Sequence, residues 1–512
     1  MLRMPSLRAD SRAWIAPSLF VACVAVVASC ATRASDDREE PRGHALFSRH
    51  CSACHGERGD GDTPVKPLLF PRPRAFRDGV FKLASSQNGV PTELDLVATL
   101  RRGLPGSSMP SYGWMSDDDL AALAQRVRSL AVDGMRERIQ LRAASLGIVA
   151  TDEQAQREAE RRMQPGEKVV VPPPMQDTEA NRAQGEALYR RHCAACHGED
   201  GKGRTPEIAW AGAAEMQWPR DFTAGFLRGD ATRDAIAHRI RAGIPGAGMP
   251  PTDLSDVETA LLVDHVKSRI VDGSEGKHVQ WRRTFRAVRV ADIPNDPDDL
   301  TWTDVESVRI PLAPLWWRKE AVFEVRVRAV HDDHRLVFQL QWDDATCDDR
   351  AMLGSPQGDG AALQLTSEAE PPMFAMGGSE GVEIWHWKSF RSDEVAGGLD
   401  LLSRVGHDAT DAPWVIPGVT QPMRTGEALP VHGPIGMTTS RGLGRPIVAT
   451  PRWRDGVWTL VLSRGLRARK TDELAIEPTQ KMFVAFAVWD GSIDLHAASK
   501  SVSTWHALEL AR

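Results

Sequence analysis

Twice in this chain two cysteines stand two residues apart with a histidine directly after: "RHCSACHGERGDG" from Arg49 and "RHCAACHGEDGKG" from Arg191. The candidate groups are Cys51, Cys54 and His55, then Cys193, Cys196 and His197. Three chemistries use a C-x-x-C pair: zinc binding, thiol–disulfide exchange and covalent haem attachment. A closed zinc site takes four ligands, and neither copy carries a second cysteine pair in its own segment. Thiol exchange is expected beside a βαβ pattern, whereas the residues here follow helical spacing. Haem suits the order for a geometric reason. Cysteines three apart lie on one side of a helical turn and form thioethers to two vinyl groups, while the next imidazole reaches the iron from that side. The opposite face then needs a soft or nitrogen ligand. Each copy has a methionine in a Pro/Gly loop, Met109 in "LRRGLPGSSMP" and Met249 in "IRAGIPGAGMP". Met115 and Met216 stand in no M-P turn and read as core packing. His–Met ligation raises the potential relative to bis-His.

The elements that must hold these groups repeat as well. Residues 43–135 and 180–275 align on their cysteines, and from histidine to methionine is 54 residues in the first copy and 52 in the second. Both read as mostly helical, closing with "SDDDLAALAQRVRSL", whose apolar face is Leu120, Leu123, Val127 and Leu130. The second closes with "SDVETALLVDHVKSRI", opened by the capping pair Ser255 and Glu258, with Leu262, Val263, Val266 and Ile270 on one face. Between them residues 136–179 read as a linker: a helix from Thr151 that is polar on every side and exposed, then the extended "VVVPPPMQDTEANRAQG". These copies resemble class I c-type cytochrome domains. The resemblance implies covalent haem c at Cys51/Cys54 and at Cys193/Cys196, with His55 and Met109, and His197 and Met249, on the two irons.

From residue 276 to 512 the pattern changes to strands. "VFEVRVRAV" and "RLVFQLQW" alternate with period two around "HDDH", which reads as a solvated hairpin turn rather than a metal site. Twelve of the 16 tryptophans lie at or beyond Trp281. An all-β sandwich is expected after the two all-α domains. The stretches "MFAMGGSEGVEIWHWKS", "DGVWTLVLSRGL" and "VAFAVWDGSIDLHAASKSVSTWHAL" are similar to the haem-b-binding γ subunit of the ethylbenzene dehydrogenase group of dimethyl-sulfoxide-reductase-type molybdoenzymes. That resemblance implies a noncovalent haem b held between Met376 and Lys500. Met373 is the fallback ligand and His386 a weaker one. Lysine ligates only as the neutral amine, so Lys500 must be buried. Cys347 in "DDATCDD" reads as a buried thiol.

Composition excludes some partners. With 42% hydrophobic residues, 26% charged and a net charge of −6, the chain has no broad basic field for nucleic acid. Residues 1–29 read as an export signal: Arg3, Arg8 and Arg12 precede an apolar run too short for a comfortable membrane span. The run ends in "VASC", which resembles the bacterial lipobox and implies cleavage before Cys30 and lipidation of its thiol. Residues 30–42 would then be a flexible tether to a membrane on the periplasmic side. With four of the seven cysteines on haem and Cys30 acylated, no disulfide framework remains.

These readings converge on an electron-transfer subunit with two haems c and one haem b. It relays electrons between soluble or membrane carriers and the molybdopterin and iron–sulfur subunits of an oxidoreductase complex, a partnership the resemblance implies. Catalysis is expected on another chain, since this one has no cysteine cluster for iron–sulfur centres. Two alternatives stay open: a dihaem cytochrome whose Trp-rich β domain binds carbohydrate or a protein partner, and catalysis at a haem with an open axial position, against which both methionines argue.

Overall fold

The computed structural model describes residues 41–203, 219–349 apart from 272 and 275, 358–369, 371, 382–389, 425–432, 439–440, 445–468, 473–477, 479–492 and 500–511. Cys30, Met216, Met373 and Met376 lie outside the described residues. Among the described residues, no helix is long and apolar enough to cross a membrane.

The first helical part starts with α1 (Arg42–His50), which runs through Cys51 into the single turn α2 (Ser52–His55). Helix α3 (Glu93–Arg102) is opened by a capping box between Thr92 and Asp95. Helix α4 (Asp117–Ser145) buries Leu120, Leu123, Val127 and Leu130 along one side, the face read from periodicity. It does not stop near residue 135. It continues to Ser145, and α5 (Asp152–Arg162) packs back on it. Two side chains of α5, Ala155 and Ala159, are fully buried, so this helix is not exposed on every side. Alanine adds little to a hydropathy pattern, yet it lets two helix backbones approach closely. The extended segment after α5 is also docked. Val169 N–H donates to Ser85 O at 2.8 Å and Gln87 N–H to Glu167 O at 2.8 Å.

The second helical part repeats this plan. Helix α6 (Glu179–His192) begins inside the stretch read as linker and leads into α7 (Ala194–His197). Helices α8 (Arg233–Ala242) and α9 (Asp256–Arg269) follow, the latter with the Ser255–Glu258 capping box. Leu261 joins Leu262, Val263 and Ile270 in its core.

The rest is β, in the order β1 (Thr284–Arg289), β2 (Val308–Pro311), β3 (Ala313–Pro314), β4 (Glu324–His331), β5 (Arg335–Asp343), β6 (Gly360–Thr366), β7 (Val382–Lys388), β8 (Thr425–His432), β9 (Thr439–Ser440), β10 (Arg445–Arg454), β11 (Val457–Gly465), β12 (Met482–Trp489), β13 (Lys500–Val502) and β14 (His506–Leu510). The hairpin β4–β5 turns where Asp332 Oδ1 accepts the N–H groups of His334 and Arg335. Hydrogen-bonded neighbours run β14-β1-β4-β5-β11-β10-β8-β7-β6-β12, and β12 pairs with β14 again, so the series returns on itself. One core fills the interior, with Phe285, Phe338, Trp385, Trp458, Phe486 and Leu508 from six of these strands. Trp342, Trp385, Trp387, Trp458 and Trp505 are fully buried.

Candidate functional site

In the first helical part, Cys51 N–H bonds Phe47 O and His55 N–H bonds Cys51 O at 2.9 Å, which makes the two cysteines and the histidine one helical turn. Both thiols are buried, and burial pushes each up to about 12. A thiol-exchange site needs the opposite shift. The His55 ring stacks on Phe76 with centroids 4.4 Å apart, and its Nδ1 lies 2.8 Å from Arg74 O. An Nδ1–H donated to that carbonyl leaves Nε2 with a lone pair for a metal. Burial holds the ring neutral by lowering its pKa to about 4. These groups line a largely apolar cavity, and Met109 lines it too. The methionine loop is pinned: Leu104 N–H donates to Met109 O at 3.1 Å and Tyr112 N–H to Leu100 O at 2.9 Å.

The second helical part builds the same arrangement. Cys193, Cys196, His197 and Met249 line one cavity. Burial pushes the Cys193 thiol up to about 11 and lowers His197. Phe222 packs on His197 at 5.3 Å, and Ile244 N–H donates to Met249 O at 2.9 Å. Among the described residues, the one group of three or more His, Cys, Asp or Glu side chains placed to share a metal ion contains none of these cysteines or histidines.

Repetition of the sequence shows in how the copies meet. Arg74 and Arg220 hold equivalent places, each two residues before the phenylalanine on its own histidine. Each reaches across to the methionine loop of the other copy. Arg74 Nη2 donates to Pro245 O at 2.7 Å, and Arg220 Nη2 donates to Gly106 O at 2.5 Å. A third cavity lies between the two and shares Lys82, Leu83 and Thr99 with the first and Arg228 and Arg239 with the second. Arg220 Nε and Nη1 and Arg228 Nη1 are buried, have no hydrogen-bond partner, and line the second cavity. Buried guanidinium groups are costly unless an anion meets them. A macrocycle carrying carboxylates fits that need, so the residues present fit a haem. Sequence reasoning missed these arginines. Their signal was the repeated Arg-x-Phe between cysteines and methionine.

Lys500 is 7% exposed, opens β13, and pairs with Trp489 of β12. Its Nζ lies 5.4 Å from the Trp489 ring, and the His386 ring is 5.2 Å from the same indole. The β part touches the first cavity directly. Cys54, Val65 and Leu69 form one apolar cluster with Leu315, Ala362, Ile384, Ala487 and Val502, and Trp489 packs against it. Backbone bonds continue the connection: Phe70 N–H donates to Leu315 O at 2.8 Å, and Leu315 N–H to Lys500 O at 3.0 Å. Trp316 stacks on Phe70 at 5.1 Å, while Arg220 lies 3.9 Å over Trp317.

Comparison with known proteins agrees with this division. Residues 38–125 and 180–266 match the family model described as "Cytochrome C oxidase, cbb3-type, subunit III", and residues 299–501 match the one described as "Ethylbenzene dehydrogenase". The chain carries two cytochrome c domains and an ethylbenzene-dehydrogenase-type domain. It is 28% identical over 230 residues, 43% of this chain and 70% of the relative, to a candidate respiratory nitrate reductase heme subunit of Haloferax mediterranei. It is 26% identical over 215 residues, 39% of this chain and 68% of the relative, to the dimethylsulfide dehydrogenase subunit gamma of Rhodovulum sulfidophilum. Among solved structures, the reducing HAO-like protein complex of Kuenenia stuttgartiensis is similar over 45% of this chain and 96% of its own, with 26% identity and a TM-score of 0.36.

Proposed function

We propose that this chain is a multihaem electron-transfer protein, the haem-bearing subunit of an exported molybdoenzyme-type oxidoreductase whose catalytic centre sits on another subunit. Cys51 and Cys54, and Cys193 and Cys196, would attach two haems c, whose irons would be held by His55 and Met109, and by His197 and Met249. Met376 and Lys500 hold a haem b in the β part, which packs as a sandwich closed by the β12–β14 pairing. The haems supply reversible one-electron storage at iron. What the chain does is hold them at fixed spacing, exclude water and set their potentials. One observation carries the reading: the strand that offers Lys500, the first cavity and the second cavity are contiguous through Leu315, Phe70 and the exchanged arginines. That contiguity gives electrons a packed route from haem b to the first haem c and on to the second.

The Rhodovulum relative is named as a subunit of dimethylsulfide dehydrogenase and the Haloferax relative as a nitrate reductase heme subunit. By analogy this chain serves a complex of that kind and passes electrons to or from soluble or membrane carriers. Cys30 as a lipidated N-terminus tethers it at the periplasmic face of a membrane. Five tryptophans that composition alone would offer for stacking on a sugar ring, Trp342, Trp385, Trp387, Trp458 and Trp505, are instead part of the core.

The test is haem accounting on the purified full chain. Acidified organic solvent should extract one haem and leave two on the polypeptide, and Cys51→Ala with Cys54→Ala should halve haem staining on a denaturing gel. Unchanged staining, or no extractable haem, would refute the assignment. The mass of the mature N-terminus decides Cys30: diacylglycerol is expected, and an unmodified terminus elsewhere would remove the tether.

A further inference from the structure

Four aspartates converge at one end of the β part. Asp344 follows β5, Asp348 stands four residues on, Asp359 precedes β6 and Asp490 follows β12. One carboxylate oxygen from each lies within 4.8 Å of all the others. Three are nearly sealed from solvent: Asp359 is 0% exposed, and Asp344 and Asp490 are 7%. Four like charges brought so close and buried are unfavourable unless something positive joins them. Arg318 lies 3.3 Å from Asp490 Oδ2.

The framework around the cluster is built. Asp359 Oδ2 accepts from Asp348 N–H at 2.7 Å and from the Trp458 indole at 2.9 Å, and its Oδ1 accepts from Gly491 N–H at 2.8 Å. Thr346 bridges two members, its N–H reaching Asp344 Oδ1 and its hydroxyl Asp348 Oδ2 at 2.7 Å. Residues 344, 346 and 348 thus converge with the alternate spacing that calcium-binding loops use. One atom is left over. Asp344 Oδ2 is buried and has no hydrogen-bond partner, although it belongs to the cluster. Burial, and then the neighbouring carboxylates, push Asp359 and Asp344 up from the ordinary carboxylate range.

We propose that Asp344, Asp348, Asp359 and Asp490 bind one hard divalent cation, Ca²⁺, in an all-oxygen site that fixes the ends of β5, β6 and β12. Four carboxylates converging on one point suit calcium, which takes six to eight oxygen ligands at about 2.3–2.6 Å, whereas magnesium is usually held by about one or two carboxylates and keeps several waters. The position matters because Trp489, which precedes Asp490, pairs with Gly360 on one side and Lys500 on the other. A cation here holds the register of the strand that presents Lys500.

The experiment uses the full haem-loaded chain stripped with EDTA. Equilibrium dialysis against radioactive calcium should give one site that outcompetes a tenfold excess of magnesium, and calcium should raise the melting temperature by about 5 °C or more. Asp344→Asn should cut calcium affinity at least tenfold. In EDTA it should melt no lower than the parent, because one buried repelling charge is gone. Asp348→Asn, at a half-buried position, is the second variant and should weaken binding in the same direction. Calcium bound undiminished by both variants would overturn the site. So would a parent that binds no calcium while Asp344→Asn raises its melting temperature, which would make the cluster a proton-sharing acid pair.

Discussion

Replacing Gly103 by alanine tests whether the backbone before the methionine loop sets the distal side of the first haem. Gly103 closes α3 with φ 70° and ψ −166°, a conformation essentially reserved for glycine. An added Cβ would stand 2.5 Å from Pro110 O and 2.7 Å from Met109 O, where ordinary contact begins at 3.4 Å. The Met109–Pro110 backbone would have to retreat by about 0.9 Å, the difference between those distances. Forcing the conformation costs about 1–3 kcal/mol, and losing the bond from Leu104 N–H to Met109 O costs about 1 kcal/mol more. Roughly 2–4 kcal/mol should lower the first unfolding transition by roughly 8–16 °C. The functional effect is more specific. A thioether drawn back that far leaves the iron, so one of the two haems c should lose its methionine–iron charge-transfer band and fall in potential. Its covalent attachment, read by gel staining, should persist. Gly147→Ala is the control, since φ is also positive there but nothing lies within 4 Å of the new carbon. It should cost about 1 kcal/mol and leave both potentials alone. An unchanged band, potential and melting curve in Gly103→Ala would refute the reasoning.

The exchanged arginines should act on both stability and potential. Arg220→Leu removes the charged bond to Gly106 O, a contact of about 1.5–3 kcal/mol partly offset by relief of a buried guanidinium. It also takes a positive charge from the second cavity, so potentiometric titration should show that haem falling, and an unchanged potential would exclude the arginine from its surroundings. Lys500→Ala in the full chain should convert haem b to a high-spin spectrum or release it while both haems c stay low-spin. A low-spin haem b retained at full occupancy would remove Lys500 from the iron.

The gathering of the two cysteines and the histidine of each motif was legible because it is local. Cys51, Cys54 and His55 need only one helical turn, and a C-x-x-C-H string specifies that turn by itself. The repeat and the hairpin of β4 and β5 were legible for a related reason, since equivalence of two segments and alternation with period two are properties of short windows. Helix α4 outran its apolar pattern because its last turns are held by contact with α5, and the two alanines that make that contact carry almost no hydrophobic signal.

What the sequence determined by itself was which side chains can attach and ligate, and that the chain runs from helical units to strands. Only the tertiary structure decided how those units address one another. The reach of Arg74 to Pro245 and of Arg220 to Gly106, the clustering of Cys54 with apolar side chains of β6, β7, β12 and β13, and the meeting of Asp344 and Asp359 with Asp490 join residues far apart in the chain. Such contacts are set by strand register and by which faces pack. A hydrogen-bonding or hydropathy rule acts over a few residues, whereas burial is decided by the whole molecule at once.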